Sequence, residues 1–305
     1  MKTKLFFLLF IVAGLSSCVS VKVIQSYSIT EGNENLEALV QITDRDSPCI
    51  TPFGGNNGQN LFFAASDGGY YNIYYKENVL STSSSQKTNN QNQNHWPTYS
   101  AVLDKIAFNS KGDIFSINMS GRAATQVTES KADESNPDFS PDGTLLIYER
   151  KSAGQSEIWT KNLKNGENTL LTNGAAPMFS PDGKMILFER PIAKGCNIWI
   201  MNLDGTNQTQ ITQSNDYEYS HKPCWSPDGK RIIFCKYDSN SYGINAKLDN
   251  DLYVVNIDGQ NLVQLTENKS EDLTPYWTTD GYIYFASDRG NKKGNYQIWR
   301  FKMED

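Results

Sequence analysis

An all-β fold built from six tandem four-stranded units is what this sequence predicts, and three observations predict it. The first is a recurring turn phrase: Pro137-Asp-Phe-Ser-Pro-Asp-Gly143, Pro177-Met-Phe-Ser-Pro-Asp-Gly183 and Pro223-Cys-Trp-Ser-Pro-Asp-Gly229. Pro275-Tyr-Trp-Thr-Thr-Asp-Gly281 is a fourth copy, and Pro97-Thr-Tyr-Ser-Ala and Pro48-Cys-Ile-Thr-Pro are two weaker ones. The opening prolines 48, 97, 137, 177, 223 and 275 stand 49, 40, 40, 46 and 52 residues apart. The second is the grammar after each turn. A β-rich run ends on an aromatic (Phe63, Phe108, Tyr148, Phe188, Phe234, Phe285), and a polar loop follows. Next comes a polar residue with an aliphatic-aromatic pair: Asn72-Ile-Tyr, Asp113-Ile-Phe, Glu157-Ile-Trp, Asn197-Ile-Trp, Asp251-Leu-Tyr, Gln297-Ile-Trp. The third is the punctuation, with Asp-Gly turns between short runs and a last strand ending in Thr, as in Gln210-Ile-Thr. Asp and Gly tolerate the backbone angles of tight turns, so the pattern spells antiparallel hairpins.

Six units of forty to fifty residues, each with four strands, predict a six-bladed β-propeller with blades around a central channel. The sixth unit ends after its third strand. Leu39-Val-Gln-Ile-Thr43, upstream of the first unit, matches the missing fourth strand, so residues 39–43 are expected to close the last blade and leave no unpaired edge. The stretch from Ser81 to His95 is polar and of low complexity and reads mostly as a connector.

The N-terminus reads as an address. Lys2 and Lys4 precede an apolar stretch from Leu5 to Ala13, too short to span a bilayer, as in a secretory signal peptide. Leu15-Ser-Ser-Cys18 resembles a bacterial lipobox, and that resemblance implies cleavage before Cys18 and lipidation of it. The expected organisation is a signal peptide over 1–17, a lipidated tether over 18–38 and the propeller over 39–305. The expected location is the outer membrane, facing the periplasm, because no acidic run follows Cys18.

Composition excludes several classes. Of 305 residues only 2 are His and 5 are Cys, which leaves little room for a histidine-rich metal centre or a disulfide framework. A net charge of −6 argues against nucleic acid, which needs clustered positive charge. Gly154-Gln-Ser-Glu-Ile158 lacks the second glycine of a hydrolase elbow, so a serine peptidase drops out. In Asp142-Gly143 and Asp182-Gly183 the two residues are adjacent, unlike the boxes of sialidases, and read as turns. Asp249-Asn-Asp251 invites a calcium reading, but turn capping explains it without an ion, and no metal or cofactor is expected. Cys49, Cys196, Cys224 and Cys235 read as buried small hydrophobes, with Cys49 and Cys224 at equivalent positions of units one and five.

The turn phrase, the Ile-Trp strand and turns such as Leu203-Asp-Gly205 resemble the WD-like repeats of the TolB-type propeller family over residues 39–305, most clearly in units three to five. The resemblance implies the fold. Similar blades serve periplasmic accessory proteins and the propeller halves of peptidases, so function has to come from surface.

The loops between strands two and three, with the inter-blade connections, share one face and vary in length, which is where recognition usually resides. Unit five is richest there. Tyr217, Tyr219 and His221 precede its first strand, and Lys236, Tyr237 and Tyr242 follow its second. Tyrosines among polar groups suit a sugar or peptide. Arg150, Arg190 and Lys236, each two positions past the second-strand aromatic, suggest a basic arc at the channel mouth for an anionic glycan or carboxylate, or else salt bridges to Glu149, Glu189 or Asp238. The expected role is a non-catalytic binding or scaffolding module for an envelope protein, peptide or anionic glycan. The alternative is a carbohydrate-active enzyme, a glycan hydrolase or lyase, using carboxylates at the channel mouth.

Overall fold

The computed structural model describes residues 36–55, 58–121, 123–215, 217–238 and 250–303. Cys18, the leader and Tyr242 lie outside the described residues. No helix among the described residues is long and apolar enough to cross a membrane.

All regular structure is β. A first strand, β1 (Leu36–Gln41), precedes five complete units. These are β2 (Cys49–Gly54), β3 (Leu61–Asp67), β4 (Tyr70–Lys76) and β5 (Ser85–Gln86); then β6 (His95–Ser100), β7 (Lys105–Ser110), β8 (Asp113–Asn118) and β9 (Thr125–Gln126); then β10 (Asp133–Phe139), β11 (Leu145–Ser152), β12 (Gln155–Asn162) and β13 (Asn168–Asn173). Units four and five are β14 (Ala175–Phe179), β15 (Met185–Ile192), β16 (Gly195–Asn202) and β17 (Thr209–Gln210), and β18 (Glu218–Trp225), β19 (Arg231–Asp238), β20 (Asp251–Asn256) and β21 (Val263–Gln264). The sixth, β22 (Asp272–Trp277), β23 (Tyr282–Ser287) and β24 (Gln297–Met303), takes β1 as its fourth strand, antiparallel to β24 with Val40 opposite Arg300. The expected ring closure is present, and its pairing begins at Leu36, inside the segment read as tether.

The core is a series of inter-unit seams. Phe62, Ile73, Ile106 and Phe108 join units one and two. Ile147, Phe179 and Phe188 join three and four, and Ile198, Trp225 and Phe234 join four and five. The last seam brings Cys49 and Phe63 of unit one against Tyr284 and Ile298 of unit six, which makes the arrangement a closed circle. The second strand of each blade is buried on both faces, as at Leu146–Tyr148 and Ile186–Phe188, because both faces pack within the stacked blades, so burial of these side chains holds the ring together.

The repeated polar letters have structural causes. In five of the six units the Thr that ends the fourth strand accepts the N–H of the third-strand aliphatic residue: Ile73 to Thr88, Ile114 to Thr128, Ile198 to Thr212 and Leu252 to Thr266, each at 2.9 Å, and Ile298 to Thr43 at 2.8 Å. The same hydroxyls donate to the preceding polar residue, as Thr88 does to Asn72 at 3.0 Å and Thr43 to Gln297 at 2.8 Å. In the turn phrase, Ser140 Oγ donates to Asp142 at 2.6 Å and accepts Leu145 N–H at 2.9 Å, while Gly143 sits at φ 70°. Gly143→Ala is expected to cost about 1–2 kcal/mol, because an L-residue is strained there. The added Cβ would also lie 3.0 Å from Leu103. A urea midpoint unchanged from the parent would refute this.

Two expectations need correction. The blade-one channel proline is Pro52, not Pro48. In all six units a residue with positive φ precedes the proline at a bulge, and these residues are Thr51, Trp96, Asn136, Ala176, Lys222 and Thr274. Unit one lacks the Ser-Pro-Asp-Gly turn, so Thr51-Pro52 was matched to the wrong letters. Cys49 consequently aligns with Ser220 and not with Cys224, although Cys49, Cys196, Cys224 and Cys235 are all buried and unbridged. The Ser81–His95 stretch, in turn, is more than a connector. It supplies β5 and Thr88, and Asn94, fully buried, donates to Tyr71 O at 2.9 Å and to Asn90 at 2.8 Å.

Candidate functional site

Bulged prolines on the six inner strands shape an axial channel, because proline cannot donate to a ladder and is accommodated where pairing is interrupted. The positive-φ residues form the ring nearest the variable-loop face. Phe53, Thr98, Asp138, Met178, Cys224 and Tyr276 form the next ring, toward the turn face. Neighbouring blades tie the bulges down: Ala176 N–H donates to Glu149 at 3.2 Å and Lys222 N–H to Glu189 at 2.7 Å. Lys222 and Trp96, from opposite blades, meet across the channel with the ammonium 4.1 Å from the ring centroid. Asp138 accepts Thr98 Oγ1 at 3.0 Å and Phe179 N–H at 2.9 Å. Enclosure by protein nonetheless pushes its carboxyl up to about 7, because burial disfavours the charged form.

The unit-five residues singled out in the sequence divide into two groups. Tyr219 and Tyr237 are opposite each other on β18 and β19, with ring centroids 6.0 Å apart, and Tyr219 is 36% exposed. Tyr217 lies under Lys194, whose ammonium is 4.9 Å from its ring, and its N–H donates to Lys194 O. A single parallel bridge, Cys196 to Tyr219, fuses the sheets of units four and five at this point. Exposed Ile192 of the β15–β16 hairpin lies beside Gly195, which itself packs against the Glu218 carbonyl of β18. Lys236 pairs with Glu218 at 3.5 Å, and His221 Nε2 lies 2.6 Å from Asn250 Oδ1 with burial holding the imidazole below its ordinary range.

Arg150 and Arg190 stand apart from this platform. Arg150 pairs with Glu134 at 2.9 Å and covers Trp159 at 4.2 Å; the expected Glu149 partner is instead engaged by Asn136 and Ser156. Arg190 covers Trp199 at 4.5 Å and donates to Thr172 and Gln208. Arg150 thus makes its contacts within unit three, and Arg190 within unit four and to Thr172 of unit three, so with Lys236 they are engaged by separate partners. Asp251 is held by Gln264 Nε2 at 3.1 Å, and no cluster of three metal-ligating side chains occurs among the described residues. Sequence reasoning missed Ile192, Lys194 and the Lys222–Trp96 pair. The last was signalled by its place directly before the channel prolines.

Ring, channel and platform define a closed propeller that presents loops from a rigid disc. The chain belongs to the TolB beta propeller domain family, which matches residues 34–216. An uncharacterized protein of Agrobacterium fabrum is 27% identical over 187 residues, 60% of this chain. The chain spans about half the length of that curated relative, 48%. Among solved structures, a candidate TolB from Agrobacterium tumefaciens is similar at TM-score 0.65 and 18% identity, covering 88% of this chain and 97% of the other. TolB from Acinetobacter baumannii gives 0.66 at 16% identity, over 82% and 65%. An oligogalacturonate lyase in complex with manganese gives 0.59 at 16% identity, over 88% and 93%. Identities this low establish the shared fold alone.

Proposed function

We propose that this protein is a non-catalytic binding or scaffolding module of the bacterial cell envelope. In this reading it is anchored through lipidated Cys18 at the outer membrane, facing the periplasm, and it recognises a protein, peptide or anionic glycan on its variable-loop face. The observation that carries the reading is the Tyr217–Tyr219–Tyr237 platform, stiffened by the inter-blade bridge and flanked by Lys194, Lys236 and His221. Half-exposed aromatic rings on a rigid base lose little conformational freedom on binding. Tyr242, Arg150 and Arg190 are proposed as further ligand contacts. Binding is favoured over a glycan hydrolase because Asp138 is the one acid among the described residues lining the channel, whereas glycoside hydrolysis ordinarily takes two; a glycan lyase is the remaining form of the carbohydrate-active alternative.

The test is a binding screen of envelope-protein fragments, peptides and anionic glycans. Tyr219→Ala with Tyr237→Ala is expected to weaken the ligand found by at least about tenfold, since central aromatic anchors are commonly worth 2 kcal/mol or more. An unchanged affinity would move the site elsewhere, and turnover of a glycan in place of simple binding would favour the alternative.

A further inference from the structure

We propose that the channel is a receptor for an organic monocation, a primary ammonium or guanidinium on a slim stem, admitted from the turn face and held by the Asp138 carboxylate. The site is distinct from the tyrosine platform. An inner cavity of about 110 Å³ is lined by the two channel rings. It opens into a vestibule of about 480 Å³ on the turn face, and the two share Phe53, Asp138, Met178, Cys224 and Tyr276.

Four features select the ligand. Asp138 is the only charged side chain of the ring where the two spaces meet. Each of its oxygens takes one donor, so acceptor capacity remains for another. The rest of its ring is aromatic and apolar, with Phe53 and Tyr276 packed on each other at 4.5 Å between centroids, and prolines 141, 181 and 227 frame the vestibule. A carboxylate in such a frame suits an alkylated cation, which needs one strong acceptor and gains from ring faces. A hard divalent ion wants six or more oxygens, and here one carboxylate and the Thr98 hydroxyl stand beside thioether and thiol. The Lys222 side chain, seated over Trp96 of the opposite blade, crosses the channel on the side of the other mouth, so the open approach is from the turn face. Burial favours the neutral Asp138 carboxyl, with a midpoint near pH 7. The Cys224 thiol and Tyr276 phenol beside it are both pushed upward and stay neutral through that range. Lys222 is the remaining charged group on the inner cavity. A cation therefore binds the ionised fraction, and its affinity rises with pH.

Calorimetry with n-butylammonium chloride and with the blocked peptide acetyl-Gly-Lys-Gly-amide tests this on the whole folded protein. Saturable binding of n-butylammonium is expected, about tenfold tighter at pH 8 than at pH 6, the ratio of ionised fractions for a midpoint near 7. Asp138→Asn should lose at least tenfold of it at pH 8, and Lys222→Met should retain it. Binding by the free amine alone assigns a small amine, and binding by the peptide too assigns a side chain; either sustains the site. A second readout needs no variant: n-butylammonium should lower the Asp138 midpoint followed by carboxyl NMR. Failure of both probes to bind, pH-independent binding, equal binding to Asp138→Asn, or displacement by equimolar calcium chloride would overturn the proposal. None of these outcomes bears on the tyrosine platform.

Discussion

Replacing Gln297 with leucine is expected to lower the unfolding free energy by about 3–5 kcal/mol, among the largest effects of any single side chain here. Gln297 is completely buried where the two ends of the chain meet. Its Oε1 accepts Thr43 Oγ1 at 2.8 Å and Arg45 N–H at 3.2 Å, and its Nε2 donates to Arg45 O at 3.0 Å and Ser47 O at 3.2 Å. One side chain thus satisfies four polar groups on a segment some 250 positions away in sequence. Leucine fills similar volume and satisfies none of them, and an unpaired buried group costs more than a hydrogen bond gains. The seam it sits on closes the circle, so its loss exposes the β24 edge and the flanks of two blades. Urea unfolding followed by tryptophan fluorescence measures the effect. A loss below about 1 kcal/mol would mean that water replaces the amide at no great cost, and that closure rests on the apolar seam alone.

That closure was legible before any coordinates, because Leu39-Val-Gln-Ile-Thr43 repeats the letters of the other fourth strands and those letters have one physical job. The Thr hydroxyl accepts a third-strand N–H, the Gln side chain donates to the Thr carbonyl two residues on, and a pattern fixed by backbone geometry recurs wherever the geometry does. The same logic fails where a unit solves the turn differently. Unit one uses Gly54 and Gly55 in place of Ser-Pro-Asp-Gly. Gly54 has no room for a Cβ, which would fall 2.2 Å from Thr278, so its letters reflect a blade-to-blade approach invisible in a local repeat. Thr88 and Asn94 were hidden for a related reason: a run of Ser, Asn and Gln carries no apolar period, yet its amides pair with one another and with Asn72 in the interior. For the candidate site, the repeat pattern placed Tyr217, Tyr219 and Tyr237 in unit five but could not foresee the bridge from Tyr219 to Cys196 of unit four. Arg150 and Arg190 share a register position, and register fixes which blade face a side chain leaves from. It does not say whether a tryptophan waits there, and Trp159 and Trp199 do. Asp138 stood inside the turn phrase, where its neighbours are Met178, Cys224 and Tyr276 at matching places; only the ring shows that one carboxylate faces five uncharged side chains.

The second large effect concerns that carboxylate and has a defined sign. Its folded-state midpoint near 7 lies above the ordinary unfolded value of 3.8, so between these limits the folded chain holds a proton that the unfolded chain has released. Stability falls with rising pH wherever the folded state binds more protons, at most by about 1.4 kcal/mol per pH unit. Across the whole interval, with some screening by channel water, Asp138 is expected to remove roughly 2–4 kcal/mol as pH rises from 4 to 7. Asp138→Asn keeps an acceptor for Phe179 N–H, and the Thr98 hydroxyl can turn to accept from the new amide. The variant should therefore match the parent near pH 4 and exceed it by roughly 2–4 kcal/mol at pH 8. The turn carboxylates Asp142, Asp182 and Asp228 act in the opposite sense. Their hydrogen bonds from Ser140, Ser180 and Ser226 hold them below the ordinary range, and what they contribute is lost as pH falls through their folded midpoints. Both proteins carry these three groups, so subtracting one urea-midpoint profile from the other isolates Asp138. Parallel profiles would show that the channel leaves its carboxyl ionised at neutral pH. A divergence confined to pH 4–7 would establish that this fold tolerates a costly enclosed acid on its central channel, the kind of local penalty that persists where a ligand relieves it.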